Sequence, residues 1–118
     1  MKVKVQDDIF YYPDLLVTCN PQDNHRYFKT QPNLIIEVLS ESTETTDRRE
    51  KLINYQTLES LKEYVLISQD QIQVEVYRQD DQGNWTVQIL GQQDDLILES
   101  VGLTLTMAQV YEDVFNAQ

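Results

Sequence analysis

The sequence has little cysteine, histidine, glycine or proline, and each shortage excludes a class of protein. Cys19 is the only cysteine, so the chain forms no disulfide within itself, and nothing indicates an oxidising compartment. His25 is the only histidine, which excludes a metal site built from several histidines. Three glycines and three prolines among 118 residues argue against collagen-like and linker-rich chains. No cysteine spacing suits zinc, and no glycine-rich loop suits a phosphate.

Long apolar runs are also missing. None approaches the roughly 18 residues of a membrane span, and the opening residues MKVKVQDD lack the apolar block of a signal peptide. Hydrophobic residues make up 41% of the chain, which is enough for an ordinary core. We therefore expect a soluble, cytoplasmic protein that forms one domain over residues 1–118, with no membrane association.

Positive charge is scarce and unevenly placed. Nine Lys and Arg residues face 20 Asp and Glu residues, for a formal net charge of −11. Residues 1–62 hold eight of the nine bases, whereas residues 63–118 hold only Arg78 against ten acids. A polyanionic partner would therefore approach through the first half of the chain, because the second half repels it. For the second half alone, acidic charge that keeps the protein in solution is the simpler explanation.

Hydrophobic patterns predict about six strands and two helices, arranged as one mixed α/β sheet flanked by helices. The strands are predicted at 14–17, 34–39, 64–67, 71–77, 85–89 and 103–105. The apolar run at 34–39 is typical of a central strand that is covered on both faces. The strand at 85–89 alternates apolar and polar residues, which favours a core position for Trp85, and Gly83 marks the hairpin turn before it.

Two capping boxes predict where the helices begin. Asp47 and Glu50 predict a first helix from Asp47 to about Leu58, with a narrow apolar stripe. Thr106 and Gln109 predict a second helix that runs to about residue 115.

Glu37 is a carboxylate inside an apolar strand, where the loss of its hydration shell costs several kcal/mol unless a cation or a donor replaces the water. Three explanations stay open: a wet edge strand, a structural salt bridge, or a metal or catalytic site. Asp14 lies at the mouth of another apolar strand, where an acid is usually structural. Two acids on neighbouring strands nevertheless form the oxygen pair that a hard cation such as Mg²⁺ prefers.

Lys51 lies 14 residues after Glu37, near the start of the predicted first helix. A helix that crosses back over the sheet could return its ammonium to the two carboxylates. An exposed lysine among charged neighbours is the alternative interpretation.

Several segments together resemble the Uma-type restriction endonucleases, a family first described as a domain of unknown function within the PD-(D/E)XK nuclease superfamily. The segments are Tyr12-Pro13-Asp14, Ile36-Glu37-Val38-Leu39-Ser40, Ser42-Thr43, Asp47 to Tyr55, Glu63 to Ile67, Val74 to Arg78, and Gly102 to Leu105. Their order and spacing cover nearly the whole chain.

The resemblance implies a restriction-endonuclease-like core and a metal-dependent DNA endonuclease. Asp14 and Glu37 would hold Mg²⁺ or Mn²⁺, with the main-chain carbonyl of Val38 as a further ligand. The superfamily lysine expected two residues after the acid is Leu39 here, and Lys51 on the following helix is the matching position, where it would stabilise the transition state. The candidate phosphate contacts are Arg26, Lys29, Arg48 and Arg49.

Two features weigh against an active nuclease. The family usually carries a longer N-terminal segment before the Pro-Asp strand, and we expect this chain to be a member without it. An apolar face left open by that loss predicts a homodimer. The net charge of −11 also disfavours DNA as a partner. The alternative is a catalytically inactive module of the same fold that acts in oligomerisation or protein interaction.

Overall fold

The computed structural model describes residues 2–6, 9–11, 13–18, 28–39 and 45–116. In these ranges the chain forms ten strands and two helices. The strands are β1 (Lys2–Gln6), β2 (Ile9–Tyr11), β3 (Leu15–Val17), β4 (Phe28–Lys29), β5 (Leu34–Leu39), β6 (Glu63–Ser68), β7 (Val74–Gln79), β8 (Trp85–Leu90), β9 (Asp95–Leu98) and β10 (Leu103–Thr106). The helices are α1 (Thr45–Tyr55) and α2 (Met107–Asn116).

A five-stranded mixed sheet forms the centre, in the order β3-β5-β6-β7-β8. Strands β5 and β6 run parallel, and the other neighbours run antiparallel. A parallel pair needs a long crossover, and the segment between β5 and β6 supplies it with α1. The predicted α/β core, a mixed sheet flanked by helices, is confirmed.

The two faces of this sheet have different partners, because successive side chains of a strand point to opposite faces. We call them the α1 face and the α2 face after the helix that packs on each. Ile35 and Leu66 pack on the α1 face with Tyr55 of α1 and Val3 of β1. Val65 packs on the α2 face in a core with residues of β7, β9 and α2. Because both faces are covered, β5 needs the nearly continuous apolar run that its sequence shows.

Two smaller sheets complete the fold. Strands β2, β1 and β4 form a three-stranded sheet, in which β1 pairs antiparallel with β2 and parallel with β4. This sheet lies on the α1 face, where Tyr11 accepts a hydrogen bond from Asn54 of α1 at 2.7 Å. Strands β9 and β10 form a hairpin beside α2.

The two predicted capping boxes have opposite outcomes. Thr106 and Gln109 cap α2 reciprocally, with hydrogen bonds of 2.9 and 3.1 Å between each backbone amide and the other side chain. The box at Asp47 is wrong, because α1 begins at Thr45 and Asp47 is its third residue. The helix also ends at Tyr55 rather than at Leu58, which packs in the turn that follows.

The predicted count of six strands is also wrong, since ten lie in the described residues. The additional strands are β1, β2, β4 and β9, each of five residues or fewer. Strand β7 runs from Val74 to Gln79, so the prediction of 71–77 starts too early. In β8, Trp85 is partly buried as predicted, whereas Val87 and Ile89 remain 53% and 60% exposed.

Arg26, one of the candidate phosphate contacts, lies outside the described ranges, as do Cys19 and His25. In the described part of the chain, no helix is long and apolar enough to cross a membrane.

Candidate active site

Glu37 lies in the middle of the sheet, on β5, and only 6% of its surface is exposed. Strand β5 is flanked by β3 and β6, which excludes the wet edge strand considered above. Register places Glu37 beside Leu66 on the α1 face. Its carboxylate accepts a hydrogen bond of 2.7 Å from the hydroxyl of Tyr64. Burying a carboxylate costs free energy unless cationic or hydrogen-bonding groups lie beside it, so Glu37 needs such neighbours.

Tyr64 and Tyr55 form an aromatic wall around this carboxylate. Their ring centroids are 5.0 Å apart, and both side chains are buried. Burial and, next, the charge of Glu37 raise the pKa of both hydroxyls well above the ordinary value of 10.0. Both hydroxyls therefore stay protonated at neutral pH. Within the described residues, the buried hydroxyl of Tyr55 makes no hydrogen bond of good geometry, although it lies close enough to the Glu37 carboxylate for that charge to raise its pKa.

Asp14 lies one residue before β3, and its side chain is exposed. Leu15 pairs with Ile36, so the antiparallel register brings Asp14 to the level of Glu37 on the neighbouring strand. Its carboxylate accepts a hydrogen bond of 2.7 Å from the backbone amide of Val38. The amide of Val38 is therefore in contact with Asp14, and a role for the Val38 carbonyl stays a prediction.

Lys51 reaches the same place from α1. Its Nζ lies 3.9 Å from a carboxylate oxygen of Glu37 and 5.7 Å from the ring centroid of Tyr11. The first distance is an ion pair but is longer than a hydrogen bond. The Lys51 side chain is 29% exposed, so its ammonium stands between the buried carboxylate and the surface. The structure thus brings Asp14, Glu37 and Lys51 together from two strands and the crossover helix.

A second ion pair lies along the same row of the sheet. Glu37, Leu66 and Glu75 are successive partners across β5, β6 and β7, so their side chains share the α1 face. Arg48 forms an ion pair with Glu75. Since Arg48 precedes Lys51 by three residues, α1 carries two cations on one side and sets each against one acid of the row.

The other predicted phosphate contacts are dispersed. Arg49 is exposed on α1 near Arg48. Lys29 lies on β4, in the sheet of β1 and β2. Arg26 is outside the described residues. Two of the four candidates, Arg48 and Arg49, therefore border the site.

The donor set restricts which metal would fit. In the described ranges, no group of three or more His, Cys, Asp or Glu side chains is placed to share an ion. Two carboxylates with solvent at the remaining positions match Mg²⁺, which binds through one or two carboxylates and keeps several waters. They do not match zinc, which prefers nitrogen and sulfur ligands.

A second carboxylate is buried on the opposite face of the sheet, and the sequence patterns did not predict it. Glu63, at the start of β6, is 2% exposed and points to the α2 face. It accepts hydrogen bonds from Arg78 Nε at 3.1 Å, from the amides of Glu99 and Ser100 at 3.2 and 2.9 Å, and from the Ser100 hydroxyl at 2.6 Å. Arg78 in turn donates to Gln88 and to the carbonyl of Ile97. This arrangement ties β6 and β7 to the β9–β10 hairpin.

The sequence patterns did not predict the aromatic wall of Tyr55 and Tyr64 either. Tyrosine in an apolar strand or helix stripe is typical of a core position, and Tyr55 and Tyr64 do occupy the core. The signal that could have marked Tyr64 is its position: it is the partner of Ile35, two residues before Glu37 on the same face.

These features describe a mixed α/β fold in which a lysine of the crossover helix meets a buried acid of the central sheet, with a second acid just before the neighbouring strand. The family model described as "Uma2: Putative restriction endonuclease" matches residues 1–108. The chain belongs to this family, so the predicted membership is confirmed.

Two relatives from Synechocystis match most of the chain. The chain is 37% identical to the uncharacterized protein slr1290 of Synechocystis over 84% of its length, and 32% identical to sll1609 of the same organism over 77%. The matches cover 53% and 54% of those proteins, so the chain spans about half the length of these relatives.

The fold is similar to that of a crystal structure from Anabaena variabilis, described as "a putative nuclease belonging to DUF820". The TM-score is 0.60 at 19% identity, and the match covers 74% of this chain and 48% of the other. This likeness supports the restriction-endonuclease-like fold.

Proposed function

We propose that this chain is a divalent-metal-dependent endonuclease that hydrolyses phosphodiester bonds in DNA. The observation that carries the proposal is that three charged side chains approach one point of the sheet. The Lys51 ammonium is 3.9 Å from the Glu37 carboxylate, and the Asp14 carboxylate accepts a hydrogen bond from the backbone amide of Val38, the residue after Glu37. Family membership supports a nuclease. Asp14 and Glu37 are the proposed ligands for Mg²⁺ or Mn²⁺, with Val38 as a main-chain ligand.

A bound dication supplies charge that polarises the phosphate and lowers the pKa of a bound water. The chain supplies the rest. Glu37 lies on β5 and Asp14 directly precedes the neighbouring strand β3, so the pairing of these two strands sets where the two acids lie relative to each other. Tyr64 orients the Glu37 carboxylate through its hydrogen bond and leaves the second oxygen facing Lys51.

Lys51 has the proposed role of stabilising negative charge on the phosphate oxygens in the transition state. Its ammonium lies between a buried carboxylate and the surface, where a substrate phosphate would approach. In the superfamily pattern this lysine lies on the strand, two residues after the acid. Here Leu39 occupies that place and packs against the core, so the lysine comes from α1 instead. Chemistry of this kind depends on where the ammonium lies in space.

One observation favours a second function. The net charge of −11 opposes DNA binding, since affinity for DNA increases with the number of phosphates that Lys and Arg neutralise. A catalytically inactive module that acts in oligomerisation or protein interaction would have no such difficulty.

A cleavage assay separates the two functions. Supercoiled plasmid and a labelled single-stranded oligonucleotide are incubated with the protein in Mg²⁺, in Mn²⁺ and in EDTA. We expect cleavage of at least one substrate that requires metal and falls at least about 100-fold in Lys51→Ala.

Lys62→Ala is the matched control, because Lys62 is an exposed lysine beyond the end of α1. It should cleave at the wild-type rate. Cleavage that is unchanged by Lys51→Ala would remove Lys51 from the site, and no metal-dependent cleavage of either substrate would favour the inactive module.

A further inference from the structure

An open pocket of about 190 Å³ lies on the α1 face beside the candidate active site. It is lined by Arg48, Arg49 and Leu52 of α1 and by Tyr77 of β7. Pockets for drug-sized ligands are usually about 300–1,000 Å³. A pocket of this size suits a single flat group better than a whole dinucleotide cofactor.

Two contacts connect the lining of the pocket with residues around Glu37. The ring of Tyr77 is 6.1 Å from that of Tyr64, whose hydroxyl bonds Glu37. Arg48, one turn before Lys51, is held at the pocket by its ion pair with Glu75. A ligand bound here would therefore lie one or two strands away from the proposed metal ligands.

Beyond the pocket, the sheet surface remains apolar and exposed. Val87 pairs with Tyr77 and Ile89 pairs with Glu75, so both side chains point to the α1 face. They are 53% and 60% exposed, because the helix packs over β5, β6 and β7 and leaves the edge strand β8 open. We call Tyr77, Val87 and Ile89 the apolar strip. Strand β8 carries no charged residue, although the second half of the chain is strongly acidic.

We propose that the pocket and the apolar strip bind unpaired bases of a single-stranded nucleic acid, while Arg48 and Arg49 contact the adjoining phosphates. This inference rests on the proposed function and names its substrate class. Any base can stack on an aromatic ring, so this binding does not depend on the nucleotide sequence. The phosphates between the bases can then contact the arginines beside the Tyr77 ring.

Charge supports a single strand over a duplex. A duplex presents a dense array of phosphates, and proteins that bind it commonly make 6–10 phosphate contacts. Among the described residues of this surface, the cations are Arg48, Arg49 and Lys51, and Arg48 and Lys51 already face Glu75 and Glu37. So little positive charge disfavours a duplex, whereas a short single strand can draw most of its affinity from stacking and apolar contact.

The test is direct binding measured without cleavage. Fluorescence anisotropy of a labelled 12-nucleotide oligothymidylate, alone and in duplex with oligoadenylate, is recorded in EDTA, so that no metal site is needed. We expect the single strand to bind at least about tenfold more tightly than the duplex, and Tyr77→Ala to weaken single-strand binding by about tenfold.

A pair of charge variants on β8 gives the matched control. Val87→Glu adds a negative charge to the apolar strip, whereas Thr86→Glu adds the same charge to the opposite face of the same exposed strand. Val87→Glu should weaken single-strand binding at least about tenfold, and Thr86→Glu less than about threefold. Circular dichroism and urea unfolding establish that each variant is folded.

Four results would overturn the inference: duplex binding as tight as single-strand binding, wild-type affinity in both Tyr77→Ala and Val87→Glu, equal losses in both charge variants, or no binding to either nucleic acid. Sedimentation provides a further one. If Val87→Glu converts a dimer to a monomer and leaves oligonucleotide binding unchanged, the strip is a contact between copies of this chain. Single-strand binding without metal-dependent cleavage would support the inference and count against the proposed function.

Discussion

The two faces of the central sheet each bury one carboxylate, and the two carboxylates have different partners. On the α2 face, Glu63 accepts four hydrogen bonds from an arginine, two backbone amides and a serine hydroxyl. On the α1 face, Glu37 is held by a tyrosine hydroxyl at 2.7 Å and faces a lysine at 3.9 Å. The partners of Glu63 connect distant segments of the fold, whereas those of Glu37 leave a cation beside a carboxylate near the surface.

The difference shows what burial alone cannot distinguish. A buried acid with strong donors on several segments stabilises a particular fold, because its removal strands those donors. A buried acid that accepts a hydrogen bond from a tyrosine and faces a partly exposed ammonium is suited to bind a metal, while the ammonium contacts a phosphate. In the sequence Glu37 and Glu63 look alike, because each is a glutamate in an apolar strand.

The largest expected effect is on activity. Glu37→Gln keeps the shape of the side chain and removes its charge, so we expect metal-dependent cleavage to fall at least about 1,000-fold, or about 4 kcal/mol in transition-state free energy. The free energy of unfolding should change by less than about 1 kcal/mol or increase, because the variant no longer buries a charge. Cleavage assays and urea unfolding of the same preparation measure both quantities. A stable variant with wild-type cleavage would break the comparison.

The next effect is on stability. Glu63→Ala leaves Arg78 and the amides of Glu99 and Ser100 without their acceptor, and we expect a loss of about 3 kcal/mol in the free energy of unfolding. This figure is at the low end of the range for a broken buried pair, since the Arg78 side chain is 22% exposed. Urea unfolding measures the loss. A variant as stable as the wild type would mean that Glu63 is not the structural carboxylate of the pair.

Alkaline pH tests the tyrosines around Glu37. Their folded pKa values are raised above 10.0, so the unfolded chain loses these protons first as the pH rises. The associated stability is complete below pH 10 and declines above it, by about 1.4 kcal/mol per pH unit for each tyrosine. Urea unfolding between pH 8 and pH 11.5 measures the slope.

Tyr55→Phe isolates the contribution of one of these groups, because lysines also titrate in this range. The variant should have a shallower decline than the wild type by about the slope of one tyrosine. Equal slopes for the two proteins would place the hydroxyl of Tyr55 in water.

The smallest effect concerns the same residue at neutral pH. The Tyr55 hydroxyl is buried beside the Glu37 carboxylate and makes no hydrogen bond of good geometry in the described part of the chain. Tyr55→Phe removes that cost, and we expect the free energy of unfolding at pH 7 to rise by about 1 kcal/mol. Thermal and urea unfolding provide the measurement, and a loss of 1 kcal/mol or more would show that the hydroxyl is satisfied.

Local patterns predict the sheet and the positions of the two acids well. The run from Leu34 to Leu39 can be recognised from its own residues. A strand covered on both faces is apolar throughout, so its one polar residue indicates a specific role. The capping box at Thr106 is likewise complete within four residues. The spacing of Lys51 after Glu37 made its return to the sheet one of two interpretations, beside an exposed lysine, and the family resemblance favoured the first.

What the sequence could not predict depends on distant contacts. Strand β4 has two residues and pairs with β1, some 26 positions earlier, so its pattern is too short to recognise. The start of α1 at Thr45 overrides a sound capping box two residues later. The roles of Tyr64 and Glu63 require the register of β5, β6 and β7, which no single segment contains.

Calorimetric titration with Mg²⁺ tests the central claim most directly, namely that Glu37 and not Glu63 belongs to a metal site. Wild type and Glu63→Gln should each bind one ion at millimolar or lower concentration, whereas Glu37→Gln and Asp14→Asn should bind at least tenfold more weakly. Circular dichroism checks that each variant is folded. No uptake by the wild type, or equal uptake by wild type and Glu37→Gln, would contradict the account.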